Sequence, residues 1–196
     1  MTDLQFTELP AEATVVFMQG PPGVGKTTKA EKLKKMLEGP QMRLRVGIFS
    51  TDKIFINADG KYEFVPYAIG AAHAFEAHEL IISMRAREYD VYIVDNTHLQ
   101  RWEMLHPLRE AMYENFTVFV WDLRKAYNHG NIHGVPDDKV KMMLQNSDNP
   151  YPPHIEKYYG KNQEWFDYIK ATFDHKPVSR IALGEAIKRD RRKYLG

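Results

Sequence analysis

The chain has 196 residues, 27 basic against 26 acidic side chains, 43% hydrophobic residues and no cysteine. That length makes one α/β domain with a small lid the default, over residues 1–196, and the hydrophobic share is enough for a real core. Disulfides and thiolate zinc sites are excluded, no run of eighteen apolar residues is present to span a membrane, and the balanced charge confines any nucleic-acid contact to a local patch.

In chain order, the first 6 residues lack the basic-then-apolar layout of a secretion signal. With the missing cysteines, this suits a reducing, cytoplasmic compartment. Val15-Val16-Phe17-Met18 reads as a buried strand, and residues 28–37 carry apolar side chains at helical spacing. Between them lies Gly20-Pro21-Pro22-Gly23-Val24-Gly25-Lys26-Thr27, which fits G-x-x-x-x-G-K-[ST]. With glycine at about 7% of residues, four fixed positions recur by accident in roughly one chain of this size per hundred or fewer. Strand, glycine-rich turn and helix together form the context that gives the pattern meaning.

Glu38-Gly39-Pro40 stops that helix, and residues 43–49 form a second strand ending in Ser50-Thr51-Asp52. Residues 57–61 read as a turn and Tyr62-Glu63-Phe64 as a short extended piece. A long helix is expected from about Ile69 to Arg87, with Ala71, Ala74, Phe75, His78, Ile81 and Ile82 on its apolar positions. The third strand, Val91-Tyr92-Ile93-Val94, ends in Asp95-Asn96-Thr97; a helix over 102–113 and a fourth strand over 117–121 follow. Residues 124–136 read as a polar loop and 137–145 as a helix. Beyond a rigid Asn149-Pro150-Tyr151-Pro152-Pro153 break come an aromatic helix around Trp165-Phe166-Tyr168, a strand near 178–182 and a basic terminal helix. Its Lys188, Arg189, Arg191, Arg192 and Lys193 are either a solvated helix end or a binding patch. Alternating strands and helices imply a parallel sheet covered on both faces, of the P-loop NTPase type, with ligands bound beyond the strands' carboxyl ends.

Three polar clusters end strands, and each has its chemistry. The loop (Gly20, Pro22, Gly23, Val24, Gly25) uses its glycines to let the backbone wind round phosphate oxygens, with N–H groups other than that of Pro22 meeting them at a helix N-terminus, continued by Lys26, Thr27 and Thr28. Lys26 is suited to the β- and γ-phosphates of ATP, and the Thr27 hydroxyl to Mg²⁺. Asp95 follows an apolar strand as a magnesium-holding carboxylate does, directly or through water. Asp52 lies about 25 residues after Lys26, where a neighbouring strand returns to the nucleotide, and can take a proton from an attacking hydroxyl. Its alternative is a helix N-cap. His73 and His78, five apart, do not share a helix face as an i, i+4 ligand pair would.

Gly20 to Thr28, Ser50-Thr51-Asp52, Asp95-Asn96-Thr97 and Asn131-Ile132-His133-Gly134-Val135-Pro136 resemble, in order and spacing, the polynucleotide-kinase-like P-loop kinases. So do Asp59-Gly60-Lys61-Tyr62-Glu63-Phe64 with Ala71-Ala72-His73, and the stretch from Asp95 to Met104. The resemblance covers roughly residues 14–145. It implies transfer of the ATP γ-phosphate to a hydroxyl, commonly the 5′-hydroxyl of a polynucleotide, DNA or RNA. Asp52 would be the base, Lys26 the charge stabiliser, and a lid would follow strand four at about 124–146. The chain departs from the family at Lys53, where a second acid is frequent, and at Ile54-Phe55-Ile56, where the bacteriophage end-healing kinase has a phosphate-binding Arg. It departs also at His98, for Asn, and at Gly130, for a lid Arg. Arg124 is carried as the catalytic substitute for that arginine, with Lys125, Lys139, Lys141, His129 and His133 as alternatives. Viral enzymes resembling this chain phosphorylate 5-hydroxymethyluracil within DNA, which requires aromatic surfaces for an extruded base. Phe55, Tyr62, Phe64, Tyr67 and Trp102 are candidates, with core packing as the competing reading. A nucleoside or small-alcohol kinase, or a P-loop ATPase switch without an acceptor, would use the same phosphate site.

Overall fold

A computed structural model describes residues 13–127 and 135–147 of the chain. Four parallel strands, β1 (Thr14–Gln19), β2 (Val46–Phe49), β3 (Val91–Val94) and β4 (Thr117–Asp122), form one sheet in the order β2-β3-β1-β4. The register aligns Phe49, Val94, Phe17 and Val120 across the sheet, so all four strands deliver their carboxyl ends to one edge. The helices are α1 (Lys26–Leu37), α2 (Ile69–Arg85), α3 (Leu105–Tyr113) and α4 (Asp137–Gln145). This is the parallel, helix-flanked α/β sheet that the alternating pattern predicts.

Strand periodicity sorts the core into two layers. Val16, Met18, Val91, Ile93 and Phe119 point to one face, against Ala30, Leu33 and Leu37 of α1. Val15, Phe17, Tyr92, Val94, Val118 and Val120 point to the other, against Leu80, Ile81 and Met84 of α2 and Leu108 and Ala111 of α3. Every residue of β1 is buried, as a central strand covered on both faces must be. α1 ends where Gly39 and Pro40 cannot continue it, and Lys34 in its last turn donates to the Val46 carbonyl at 2.6 Å, tying the helix to the edge strand.

Three differences from expectation stand out. A 3-10 turn, Thr51–Phe55, follows β2 directly, and another, Arg101–Met104, precedes α3 where one longer helix is expected. On α2 the apolar positions are rotated. Ala71, Ala74, Phe75, His78 and Ile82 are exposed, and the buried stripe is Ala72, Glu76, Leu80, Ile81, Ser83 and Met84. Ile81 alone of the expected set is buried, because the helix docks through its i, i+4 row from Ala72 and leaves Phe75 57% exposed. Residues 131–134 of the lid motif, with His129 and Gly130, lie outside the described residues, as do the Tyr151-Pro152-Pro153 break, the Trp165 helix, the strand near 178–182 and the basic end.

Candidate active site

The loop from β1 into α1 is built for anions. Gly25 caps α1 in the left-handed region at φ 83°, and Gly23 stands at φ 82°. No side chain caps the helix and its first turn holds no acid, so the N-terminal N–H groups face a space where a Cβ on Gly25 would meet nothing within 4 Å. Gly20 is required for a different reason. A Cβ there would stand 2.9 Å from Val24 Cγ1 and 3.4 Å from Leu123 Cβ, while its N–H donates to Thr97 O at 2.9 Å and joins the loop to the end of β3. Lys26 Nζ reaches back across the loop to Pro21 O at 3.0 Å. Burial pushes the Lys26 ammonium down, and the charges of Asp95 and Asp52 oppose that shift.

Thr27 and Asp95 meet. The Thr27 hydroxyl donates to Asp95 Oδ2 at 2.7 Å, while Asp95 Oδ1 is buried with no hydrogen-bond partner among the described residues. Burial pushes the Asp95 carboxyl up, and the Thr27 bond and the Lys26 charge pull it back. A buried carboxylate oxygen without a donor, beside a hydroxyl and a phosphate cradle, fits a hard divalent cation such as Mg²⁺. Among the described residues no group of three or more His, Cys, Asp or Glu side chains converges as a metal site. The donor set therefore suits an ion whose remaining ligands are phosphate and water.

Asp52 sits at the second position of the 3-10 turn after β2, two strands from the loop. It is exposed, and its charge acts on Lys26 and Asp95 as well as on Tyr62. It caps no helix: Ser50 precedes the turn and makes no side-chain cap bond. Its Oδ1 accepts instead from the Tyr62 hydroxyl at 3.2 Å. Burial, with the Asp52 charge, pushes the Tyr62 phenol up to about 12, so it stays a hydrogen-bond donor. Tyr62 belongs to a small hairpin whose turn, residues 57–61, is closed by Asn57. Asn57 N donates to Lys61 O at 2.9 Å, Ile56 pairs with Tyr62, and Asn57 Oδ1 accepts from Asp59 N and Lys61 N at 3.0 Å each. Of the candidate aromatics, Phe55 is buried and serves as the hub on which Tyr62 and Phe64 pack, at 6.3 and 5.3 Å between centroids. Tyr62, Phe64 and Tyr67 are exposed at 41%, 50% and 93%. Trp102 falls in the second 3-10 turn.

Arg124 stands at the tip of β4, on the far side of the loop from Asp52. Its guanidinium pairs with Asp122 through Nε at 2.9 and 3.0 Å, and Nη1 donates to Ser147 Oγ at 3.3 Å beyond α4. The carboxylate next to it, legible at the end of a strand, is what the sequence reading overlooked. Lys53 is likewise engaged, donating to Ile48 O at 2.6 Å. His98, the departure after Asp-Asn-Thr, is buried: its Nδ1–H donates to Met18 O at 2.9 Å and its ring stands edge-on to Phe17. Glu76, also unforeseen, is buried on α2; the signal was the i, i+4 row Ala72, Glu76, Leu80, Met84.

The strand, glycine-rich loop and helix, with a Thr–Asp pair at the loop's mouth, belong to an α/β fold with a parallel sheet flanked by helices. No protein-family model matches it. Among solved structures, a mutant of the Mycobacterium tuberculosis APS kinase CysC is similar at a TM-score of 0.44 and 11% identity, over 69% of this chain and 97% of the other. Chaetomium thermophilum Kti12 in complex with ADP-AlF3 is similar at 0.47 and 16%, over 70% of this chain and 82% of its own. A protein designated APE1195 is similar at 0.45 and 16%, over 71% and 73%. Among the described residues no helix is long and apolar enough to cross a membrane.

Proposed function

We propose that the chain is an ATP- and Mg²⁺-dependent kinase that moves the γ-phosphate to a hydroxyl of a nucleic acid, DNA in preference to RNA, in the manner of the polynucleotide-kinase-like enzymes. The observation that carries this reading is the exposed Asp52 carboxylate, whose charge reaches Lys26 and Asp95 while it already holds a hydroxyl, that of Tyr62. A base placed so can accept the proton of an acceptor hydroxyl that displaces Tyr62. Lys26 neutralises charge gathering on the phosphoryl oxygens, and the loop N–H groups orient the triphosphate. Thr27 and Asp95 would hold Mg²⁺, which would supply positive charge to offset that of the phosphates. The exposed ring of Tyr62, bonded to Asp52, and that of Phe64, packed with it on Phe55, offer a base surface to stack on, which favours a polynucleotide end or a hydroxymethylated base over a small alcohol. Arg124, paired with Asp122, would act from the opposite side only after leaving that carboxylate.

The test is transfer of labelled γ-phosphate to 5′-hydroxyl DNA, 5′-hydroxyl RNA, DNA containing 5-hydroxymethyluracil, and nucleosides. Label should enter a nucleic acid, Lys26→Ala should abolish transfer in a folded protein, and Asp52→Asn should lower kcat more than the KM for ATP. Hydrolysis of ATP with no acceptor labelled would overturn the kinase reading in favour of an ATPase switch, and label in nucleosides alone would overturn the nucleic-acid acceptor.

A further inference from the structure

The 3-10 turn that carries Asp52 is held only weakly by its own backbone. Lys53 N–H reaches Ser50 O at 3.2 Å and Ile56 N–H reaches Lys53 O at 3.3 Å, the long end for such bonds. Its firmer holds come from outside, at the first residue of the turn. Thr51 is buried, and its N–H and its hydroxyl both have partners. The N–H donates to Asn96 Oδ1 at 2.9 Å, close to where Asp95 N–H donates to Phe49 O at 2.7 Å. The hydroxyl shares a hydrogen bond of 2.9 Å with His73 Nδ1, on α2.

These holds act on different parts of the chain. The Asn96 and Phe49 bonds join the end of β2 to the tip of β3 and fix the backbone as far as the Thr51 amide. The bond to His73 takes hold one step further on, at the side chain, and joins it to a helix residue 22 positions away. A threonine side chain is stiff about its first torsion, so fixing the hydroxyl also limits how the residue rotates, and with it the direction in which the chain leaves for Asp52. A buried hydroxyl that loses its partner is costly, which keeps the pair together. His73 itself lies on the exposed side of α2, where core packing gives no reason for a ring, and its spacing from His78 does not suit a metal pair.

We propose that His73 is a positioning residue: through the Thr51 hydroxyl it fixes the start of the turn and so sets where the Asp52 carboxylate stands. This rests on the kinase reading, in which a misplaced base costs rate rather than nucleotide affinity. His73→Ala and Thr51→Val each break the bond. The first leaves no cavity in the core and installs a better helix former, and the second keeps the branched shape of the buried side chain. Each should lower kcat about tenfold while the KM for ATP stays within about threefold. The double variant should fall no further than the slower single one, because both changes remove one interaction. His73→Asn should return kcat to within about threefold of the wild-type value, since its amide offers a donor and an acceptor at the reach of Nδ1. A second readout needs no activity: the ring nitrogen resonances of His73 should move in Thr51→Val and keep their wild-type positions in Thr51→Ser. Losses that multiply in the double variant, an asparagine variant as slow as the alanine one, or ring resonances indifferent to Thr51→Val overturn the proposal. If wild-type protein labels no acceptor, the kinase reading fails alone and the ring resonances still decide the link.

Discussion

Replacing His98 with Asn removes a buried titratable ring together with its bond to Met18 O and its edge contact with Phe17. The backbone there is left-handed, φ 43°, a conformation that Asn adopts more readily than other residues with a side chain. The carbonyl that accepts from Gln19 Nε2 at 2.9 Å is kept. In the native protein the His98 Nδ1–H is committed to Met18 O, and burial pushes the imidazole down to about 4, with the nearby His73 and Lys26 adding to the shift. The ordinary value is 6.5, so the folded protein binds fewer protons than the unfolded chain between those limits. Stability from this group is complete above 6.5 and is lost as pH falls toward 4. Linkage puts the loss at about 2 kcal/mol at pH 5 and near zero at pH 7.5. Glu76 and Asp95, whose carboxyls are raised by burial, lean the opposite way but do so in both proteins and cancel in the difference. Urea unfolding of wild type and His98→Asn, without nucleotide or metal, should therefore show the wild type losing about 2 kcal/mol of its advantage between pH 7.5 and pH 5. In a chain of this size that is about 4–8 °C in Tm. A difference that does not change with pH, or a His98 ring signal titrating near its ordinary value in the folded protein, would refute the buried neutral ring.

Gly47→Ala should destabilise by about 1–3 kcal/mol in urea unfolding, because its Cβ would lie 2.7 Å from two ring atoms of Tyr89 and 2.9 Å from Phe49 Cε2. Those rings have no slack, since both pack on Tyr92, and ATP affinity should not change. Asp95→Asn keeps an acceptor for the Thr27 hydroxyl but loses the charge. Half-maximal activity should then need on the order of tenfold more Mg²⁺, with the ATP dissociation constant in the absence of metal nearly unchanged; an unaltered Mg²⁺ requirement would remove Asp95 from the cation site.

The strands, the glycine-rich turn and the three polar strand ends were legible because they rest on local signals. Continuous apolar runs make buried parallel strands, and a Gly-Lys-Thr turn before an amphipathic run needs no tertiary information. Even the bounds of α4, Asp137–Gln145, follow from the pattern. The same signals place Thr27, Asp95 and Asp52 on neighbouring strand tips once the sheet is parallel.

Other features depend on what packs against what. Which stripe of α2 is buried was set by docking against Leu108, Tyr92 and Val94, and hydropathy alone favoured Phe75 and Ile82, which the fold leaves outside. Glu76 lies in the buried row although its residue type argues against it. Arg124 reads as a cation open for catalysis until Asp122 and Ser147 are seen holding it. Periodicity along one segment determined the elements and their order. Side-chain partners come from segments distant in the chain, as the sequence separation of 79 between Gln19 and His98 illustrates, and only the assembled sheet and helices could decide them.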